Sequence, residues 1–330
     1  MIAPINKSRY FFDTLHLLKE AQALGIKSSV LSATGNTIEF FYQGEFRYII
    51  GGRFGRLPYF GYNFCNRKDY TYRILGRNKL PIPKHLVVSS QKEALEKYSK
   101  IKFPCTVKVV SGTGGFGVYT DINSPSRLQQ SIRSAFKYGS RLLIEENIKG
   151  DDYRILATPS KLVHAVRRIP AHVVGDGKST VEKLVLNENK KPNRGPRFKQ
   201  QLVKIKLDTE SKYALFQQKL NIKSVPKKGL VVYLKTCCNQ CKGGEVEAVT
   251  EKIHPDYAKT AIAAVKALNV PLGGVDIITT DISKSLNISH GKIIEINENP
   301  GLLIHKYPSA GEGMEIYRFV LETLFQRKFK

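Results

Sequence analysis

The sequence predicts an α+β protein built from several packed lobes. Apolar residues recur at helical spacing in some segments and at strand spacing in others, and no internal repeat orders them. The 330 residues exceed the usual size of one domain, so more than one lobe is expected. Hydrophobic residues make up 42% of the chain and aromatic residues 10%, which is enough for an extensive core.

The N-terminal segment predicts a small α/β lobe over residues 1–63. Residues 11–25 place apolar side chains at helical spacing and end at a glycine, as a helix with a glycine C-cap does. Residues 26–33 then have strand character, and residues 38–52 predict a hairpin.

The next segment, residues 64–150, predicts a central lobe with a glycine-rich loop. Its expected elements are a helix over 68–78, a strand from Phe103 that resumes at Val118 beyond the glycines, a helix over 124–138 and a strand over 141–148.

Residues 151–330 predict a C-terminal lobe with an insertion at 175–235, which is polar, basic and weakly periodic until a strand in 228–236. Its other expected elements are a hairpin over 153–169 with its turn at 158–161, a helix over 255–268, strands in 273–282 and 291–301, and a helix over 312–327.

The formal net charge of +25 indicates an anionic partner or a solvated lysine-rich surface, and charge alone leaves the two open. The densest stretch, 187–206, holds seven Lys or Arg against one Glu. Binding to RNA would also want interleaved aromatic residues, and only Phe198 lies in that stretch, so a nucleic-acid partner is disfavoured.

The lack of a recognisable targeting signal and the cysteine content together predict a cytoplasmic protein without a membrane partner. There is no run of about 18 apolar residues. The first twenty residues mix charges with apolar side chains and lack a small-residue cleavage site. The five cysteines are an odd number in a chain too large to need disulfides, as is typical of a reducing compartment.

Three oxygen-bearing residues on two C-terminal strands predict a metal site. Glu295 and Asn297 are two apart on one strand and share a face, and a neighbouring strand could bring Asp276 beside them. Two carboxylates and an amide oxygen are ligands for Mg²⁺ on nucleotide phosphates. A solvated strand face is the alternative, but burying carboxylates in such apolar strands without a cation is costly.

A glycine-rich turn at 111–118 (SGTGGFGV) lies between two predicted strands, where backbone N–H groups can cradle phosphate oxygens. It has neither the P-loop pattern nor GxGxxG before a helix, and a plain structural turn is the alternative. Lys108, just before it in a hydrophobic strand, needs an anionic partner unless it faces water from an edge strand.

Several blocks together resemble the ATP-grasp ligases, and within them the ATP-grasp module of cyanophycin synthetases and bifunctional glutathione synthetases. The resemblance covers about residues 60–315. Its blocks are Lys68-x-x-Thr71, FPCTVKVVSGTGGFGV (103–118), LLIEENIKGDDYR (142–154), RRIPAHVVGDGKSTVEKLV (168–186), SVPKKG (224–229), HP (254–255), GGVDII (273–278) and IEINENPG continued by LLIHKYPSAG (294–311).

The resemblance implies three α/β lobes, with ATP held between the central and C-terminal ones. It also implies roles for individual residues. These are phosphate binding by Lys68, Lys108 and the loop glycines Gly112, Gly114, Gly115 and Gly117; adenine recognition by Glu145, Glu146 and Ile148; ribose binding by Asp152; catalysis by Arg154 and Arg168; metal binding by Asp276, Glu295 and Asn297; and substrate contacts by Asn239, His305 and Ser309.

The activity implied is an ATP- and Mg²⁺-dependent joining of a carboxylate to an amine, in which Mn²⁺ could substitute. The carboxylate is activated as an acyl phosphate, and ADP and phosphate are released. The substrates would be small molecules or peptides, with acidic ones favoured by the charge. The alternatives are a glutathione-synthetase-like ligase for a thiol dipeptide and a non-catalytic basic protein that binds nucleotides or nucleic acid.

The segment TCCNQCKGG (236–244) departs from the family, whose relatives carry Asn-Leu-Ser-Thr-Gly-Gly here. Cys241 and Lys242 replace Ser and Thr, which leaves acceptor specificity open. A zinc site at Cys238-x-x-Cys241 is disfavoured, because no second ligand pair follows. A pocket role or ordinary thiols are the other readings for Cys237, Cys238 and Cys241.

Because only short segments flank the blocks of the resemblance, we expect the second catalytic module of either relative to be missing. We therefore expect one amine to be joined to one carboxylate, or action beside a separate pathway enzyme. A homo-oligomer is a further expectation, since symmetric assemblies are common.

Overall fold

The computed structural model describes residues 11–32, 35–112, 116–196, 200–236, 238 and 242–329. Its α-helices are α1 (Phe12–Ala23), α2 (Tyr59–Cys65), α3 (Lys68–Arg77), α4 (Gln91–Lys97), α5 (Pro125–Ala135), α6 (Val181–Glu188), α7 (Thr209–Gln217), α8 (Pro255–Ala267), α9 (Leu286–Ser289), α10 (Leu303–Lys306) and α11 (Ile316–Phe325). The strands are β1 (Lys27–Ser32), β2 (Thr37–Tyr42), β3 (Glu45–Ile50), β4 (Arg53–Phe54), β5 (His85–Val88), β6 (Cys105–Val109), β7 (Tyr119–Ile122), β8 (Leu142–Glu146), β9 (Asp151–Ala157), β10 (Leu162–Ile169), β11 (His172–Val174), β12 (Arg194–Gly195), β13 (Leu202–Val203), β14 (Val231–Tyr233), β15 (Glu245–Ala248), β16 (Gly273–Thr279) and β17 (Lys292–Asn297).

These elements confirm the predicted α+β class, with mainly antiparallel sheets. The chain forms two compact units. The first unit comprises Met1–Arg56, Val166–Ala248 and Gly301–Lys330, and the second comprises Leu57–Ala165 and Val249–Pro300. The lobe boundaries 1–63, 64–150 and 151–330 stay a prediction. No helix in the described ranges has both the length and the apolar character needed to cross a membrane.

The first unit begins with the predicted helix and hairpin. Helix α1 ends as its glycine predicts: Gly25 has a φ of +68°, its N–H donates to the Gln22 carbonyl, and the Ile26 N–H donates to the Ala21 carbonyl at 2.8 Å. This pattern is a Schellman motif. Strands β1 to β4 then form an antiparallel sheet in chain order.

The insertion at 175–235 contains two helices that the sequence analysis did not predict, α6 and α7. They pack on a core of their own, which includes Val181, Val185 and Leu215. Each helix is short and buries only two or three residues, so its periodicity is weak. The N-cap residues Thr180 and Asp208, which accept from the N–H groups of Lys183 and Ser211, were the available signal.

The second unit has two sheets. One has the strand order β5-β8-β6-β7, with α4 and α5 packed against it. In the other, β16 lies between β9 and β17 and pairs antiparallel with both, and α8 covers its apolar face. Helix α3 contributes Leu75 to the core beneath this second sheet. Polar side chains on β9, β16, β17 and α3 form the candidate site.

Candidate functional site

A row of charged side chains crosses three adjacent strands of the second unit. In the register, Asp276 on β16 stands opposite Arg154 on β9 and opposite Glu295 on β17. Residues directly opposite one another in a sheet project from the same face. The predicted approach of Asp276 to Glu295 is therefore present.

Arg154 and Asp276 form a two-pronged ion pair. The Arg154 Nε donates to Asp276 Oδ1 at 2.7 Å, and its Nη2 donates to Oδ2 at 2.8 Å. The Asp276 side chain is 1% exposed. Gly274 makes room for this arrangement, because a Cβ there would lie 3.2 Å from the Arg154 Cδ. Paired hydrogen bonds of this kind fix orientation as well as charge.

Lys68 joins the other end of the row. It is the first residue of α3, and its backbone N–H donates to the Val110 carbonyl at 3.1 Å. Its Nζ lies 2.9 Å from Glu295 Oε1 and donates to the Gly112 carbonyl at 2.9 Å. The start of α3 thus places one ammonium between the carboxylate row and the glycine loop.

The start of α3 is itself anchored by Asp69. This buried carboxylate accepts two hydrogen bonds from Arg67, at 3.1 and 3.0 Å, and one from Arg141 Nη1 at 2.7 Å. Arg141 precedes β8, and its carbonyl accepts from the Val110 N–H. Neither Asp69 nor Arg141 was predicted from the sequence. Their signal would have been an acidic residue beside Lys68 in a helix that carries few other acids.

The donor set of Asp276, Glu295 and Asn297 fits magnesium in its chemistry, since all three side chains offer oxygen. Asn297 lies opposite Gly274 in the register, and its Nδ2 lies 3.4 Å from the Gly274 carbonyl. Within the described residues, no group of three or more His, Cys, Asp or Glu side chains gathers into a metal-binding cluster. A set of three oxygen ligands therefore requires Asn297. The two carboxylates, Asp276 and Glu295, are already paired with Arg154 and Lys68.

A second buried ion pair lies in the neighbouring sheet. Lys108 on β6 pairs with Glu145 on β8, and both are almost wholly buried. The Tyr72 hydroxyl lies 2.9 Å from Glu145 Oε2 and 3.1 Å from the Ile294 carbonyl. Burial, and then the nearby Glu145 charge, raises the pKa of Tyr72 well above its usual range.

Helix α3 links the two ion pairs. Lys68 and Tyr72 are four residues apart, so they lie on the same face of the helix. Lys68 reaches Glu295, while Tyr72 reaches Glu145 and the carbonyl next to Glu295. Tyr72 was not predicted from the sequence, although a tyrosine one helical turn after Lys68 was the available signal.

The glycine loop is described in part. Gly112 accepts from Lys68, and Gly117 has a φ of +67° with Val109 close enough to exclude a Cβ. Gly114 and Gly115 lie outside the described residues.

The residues assigned to adenine and ribose follow Glu145 along the chain. Glu146 pairs with Lys84, whose backbone N–H donates to Glu146 Oε1 at 2.9 Å. Ile148 is half-buried just beyond the end of β8. Asp152, also half-buried, lies on β9 opposite Ile278.

The remaining predicted residues belong to the first unit. Arg168 on β10 stands opposite Val246 on β15, and the Ser309 N–H donates to the Val246 carbonyl at 2.8 Å. His305 is fully buried in α10, and Asn239 lies outside the described residues. The structure thus brings Arg168 and Ser309 to the same strand.

Comparison with known proteins identifies the class that this fold and site define. The D-ala D-ala ligase C-terminus family matches residues 75–173. The chain is 32% identical to a cyanophycin synthetase of Nostoc sp. over 316 residues, which are 95% of this chain and 35% of that protein. A glutathione biosynthesis bifunctional protein of Clostridium perfringens is 31% identical over 317 residues, 95% of this chain and 41% of that protein.

A solved structure agrees in fold. The bifunctional glutathione synthetase from Pasteurella multocida superimposes with a TM-score of 0.74 at 25% identity, covering 97% of this chain and 44% of that one. These similarities confirm the predicted resemblance to the ATP-grasp ligases. These relatives are ligases that form carbon–nitrogen bonds. The chain spans about two fifths or less of the length of the curated relatives it matches.

Proposed function

We propose that this chain is an ATP- and Mg²⁺-dependent carboxylate–amine ligase. The observation that carries the proposal is the gathering of Lys68, Arg154, Asp276 and Glu295 around one sheet face, with Lys108 linked to them through Tyr72. Paired cations beside oxygen ligands are what the transfer of a phosphoryl group requires.

Asp276, Glu295 and Asn297 would hold Mg²⁺. When bound, the ion neutralises negative charge on the phosphate oxygens. Mn²⁺ has similar preferences for oxygen ligands and could replace it. Binding requires the two carboxylates to share or exchange their present partners, Arg154 and Lys68.

Lys68, Lys108 and the glycines of the 112–117 loop are proposed to bind the phosphates of ATP. The segment Glu145–Ile148 would contact adenine, with Glu145, Glu146 and Ile148 named by the family resemblance. Asp152 would accept the ribose hydroxyls. Arg154, fixed by two hydrogen bonds, presents its guanidinium in one orientation.

In the first chemical step, a substrate carboxylate oxygen attacks the γ-phosphorus, the bond to ADP breaks, and an acyl phosphate forms. The amine then attacks the acyl carbon, the bond to phosphate breaks, and the proton lost by the amine passes to the departing phosphate. The lysines and Arg154 hold the charge that moves during both steps. The loop at 112–117 is proposed to exclude water, which would otherwise hydrolyse the acyl phosphate.

The substrates are proposed to be small-molecule or peptide carboxylates and amines. Arg168, Asn239, His305 and Ser309 would contact them, by family resemblance. The matched relatives include glutathione-forming proteins as well as a cyanophycin synthetase. A ligase that acts on a thiol dipeptide is therefore the second candidate. The net charge of +25 favours acidic substrates within either class.

The free thiols Cys65 and Cys105 support a reducing compartment, so we place the protein in the cytoplasm. A homo-oligomer and a separate enzyme that supplies or consumes its substrates complete the proposal.

ADP release tests this function directly. Purified protein with MgATP should release ADP when a panel of amino acids and dipeptides, including thiol dipeptides, is supplied as pairs of acid and amine. Adding hydroxylamine should trap the acyl phosphate as a hydroxamate when the acid is present without its amine. Glu295→Ala should lose turnover.

The competing reading makes a different prediction. A non-catalytic nucleic-acid-binding protein would release no ADP with any pair, and would bind oligonucleotides with a steep dependence on salt. That combination would remove the ligase assignment, while undiminished turnover in Glu295→Ala would remove only the metal assignment.

A further inference from the structure

Glu295 and Lys68 form an ion pair with one another. Their charged atoms lie 2.9 Å apart, and the remaining acceptor of the Lys68 ammonium among the described residues is the Gly112 carbonyl. Under the proposed function, Lys68 belongs to the nucleotide and Glu295 to the metal. The two groups meant for different ligands are therefore neutralised by one another.

The neighbouring pairs follow the same pattern. Arg154 holds Asp276, and Lys108 holds Glu145, so three cations face three carboxylates in this part of the described chain. An anion that takes one cation leaves a carboxylate behind without a partner, which is costly in a partly buried site.

Glu295 is the acid best able to change partners. Its side chain is 32% exposed, whereas Asp276 is 1% and Glu145 3% exposed. Glu295 is held by one ammonium, while Asp276 is held by two hydrogen bonds from a guanidinium. Exchange should therefore begin at the Lys68–Glu295 pair.

We propose that Glu295 determines the selectivity of the site for the metal-bound nucleotide over the metal-free nucleotide. Without a divalent cation, the phosphates must compete with Glu295 for Lys68. With the cation, the Glu295 carboxylate turns to the metal and Lys68 is released to the phosphates. This inference rests on the proposed function and adds a second role for Glu295, as a competitor of the phosphates.

The experiment is calorimetric titration of ADP and ATP into the full chain, once in excess EDTA and once in Mg²⁺. Glu295→Gln keeps the size of the side chain and removes its charge. We expect metal-free ADP to bind about tenfold more tightly to Glu295→Gln than to the wild type, the change that one lost charge-assisted competitor represents. Mg²⁺-bound ADP should bind the variant more weakly. Glu295→Ala should shift both constants in the same directions.

A double-mutant cycle isolates the contact. In a Lys68→Met background, Glu295→Gln should bring no gain in metal-free binding, because the released group is absent. Glu93→Gln is the matched control, since it breaks the 2.7 Å pair of Glu93 with Lys97 on α4 and changes the net charge equally.

Three results would overturn the inference. They are unchanged or weaker metal-free binding in both Glu295 variants, an equal gain in Glu93→Gln, and a gain that persists without Lys68. A wild-type chain that binds no nucleotide in Mg²⁺ would overturn the proposed function together with this inference. A wild type that binds Mg²⁺-nucleotide, with no gain in the variants, would overturn the inference alone.

Discussion

The hydroxyl of Tyr72 lies 2.9 Å from the Glu145 carboxylate inside a cluster where neither side chain reaches water. The same oxygen lies 3.1 Å from the Ile294 carbonyl, next to Glu295. One phenol therefore connects the strand that carries Glu145 to the strand that carries Glu295.

Removing that hydroxyl should weaken both the fold and nucleotide binding. Tyr72→Phe leaves the buried Glu145 with one partner fewer, and we expect the free energy of unfolding to fall by about 1–3 kcal/mol. Urea unfolding measures this, and calorimetry should show weaker binding of Mg²⁺-nucleotide. Tyr138→Phe, at an exposed tyrosine, is the control and should change neither quantity. Equal values for Tyr72→Phe and the wild type would show that the contact is dispensable.

The pair of Arg154 and Asp276 should behave as one unit. Arg154→Leu leaves a buried carboxylate without its cation and should destabilise the protein by about 3–5 kcal/mol, whereas Arg154→Leu with Asp276→Leu should cost less than the single change. Urea unfolding of Arg154→Leu, of Asp276→Leu and of the double variant measures this. If the two single changes simply add in the double variant, the pair is not coupled. Arg154→Lys should lower kcat about 100-fold or more, through loss of one directed donor.

Alkaline pH should destabilise the protein. Burial raises the pKa of Cys105 to about 11 from an ordinary 9.0, and it also raises the pKa values of Cys65, Tyr72 and Tyr317. Their folded-state pKa values lie above the unfolded ones, so this stability is fully present below about pH 9 and is lost as pH rises further. Urea unfolding between pH 7.5 and 10.5 should show a steady fall. Tyr317→Phe should have a shallower fall, and an identical slope would contradict this explanation.

The buried Asp13 should lower the free energy of unfolding at neutral pH. Burial raises the pKa of Asp13, although the Tyr317 hydroxyl donates to its carboxylate at 2.7 Å and opposes the shift. Because the folded pKa is raised, folding favours the protonated acid, and stability falls as pH rises through the folded pKa. Asp13→Asn keeps an acceptor oxygen and should raise the free energy of unfolding at pH 7 by about 1 kcal/mol. The gain should vanish near pH 3, and a gain of equal size there would point to another cause.

Glu210 contacts two residues of the segment 236–244, which carries Cys237, Cys238 and Cys241. Glu210 accepts from Lys242 Nζ at 2.8 Å and from the Thr236 hydroxyl at 3.4 Å. Lys242→Thr removes the stronger contact, so we expect Cys237, Cys238 and Cys241 to react several-fold faster with a thiol reagent. The buried Cys65 and Cys105 are internal controls whose rates should stay low. Unchanged rates for the segment would mean that Glu210 does not restrain it.

The sequence predicted the strands and helices whose signal is local. Gly25 predicted the end of α1, and the turn at 158–161 predicted the β9–β10 hairpin, in which the Thr158 N–H donates to the Lys161 carbonyl at 2.9 Å. Helices α6 and α7 escaped because their apolar faces are only two or three residues wide. Strand periodicity placed Glu295 and Asn297 on one face. No local pattern could tell that the strand of Asp276 pairs with the strand that carries them.

The partners of the site residues were beyond the sequence for a different reason. Lys68 and Glu295 are more than two hundred residues apart, and so are Tyr72 and Ile294. Such contacts follow from the order of strands in a sheet and from the placement of a helix over it. The family resemblance indicated the residues, whereas the ion pairs among them were visible only in the three-dimensional structure.

Gly274 has a consequence for how this site could change over evolution. It lies where a methyl group would meet Pro300 at 3.0 Å and Arg154 at 3.2 Å, on the strand that presents Asp276. A side chain at this position would therefore press on Pro300 and on the Arg154 side chain unless both shifted. The position therefore constrains the site even though it carries no functional group, because the space that a side chain would fill is taken by Pro300 and by the arginine that pairs with Asp276.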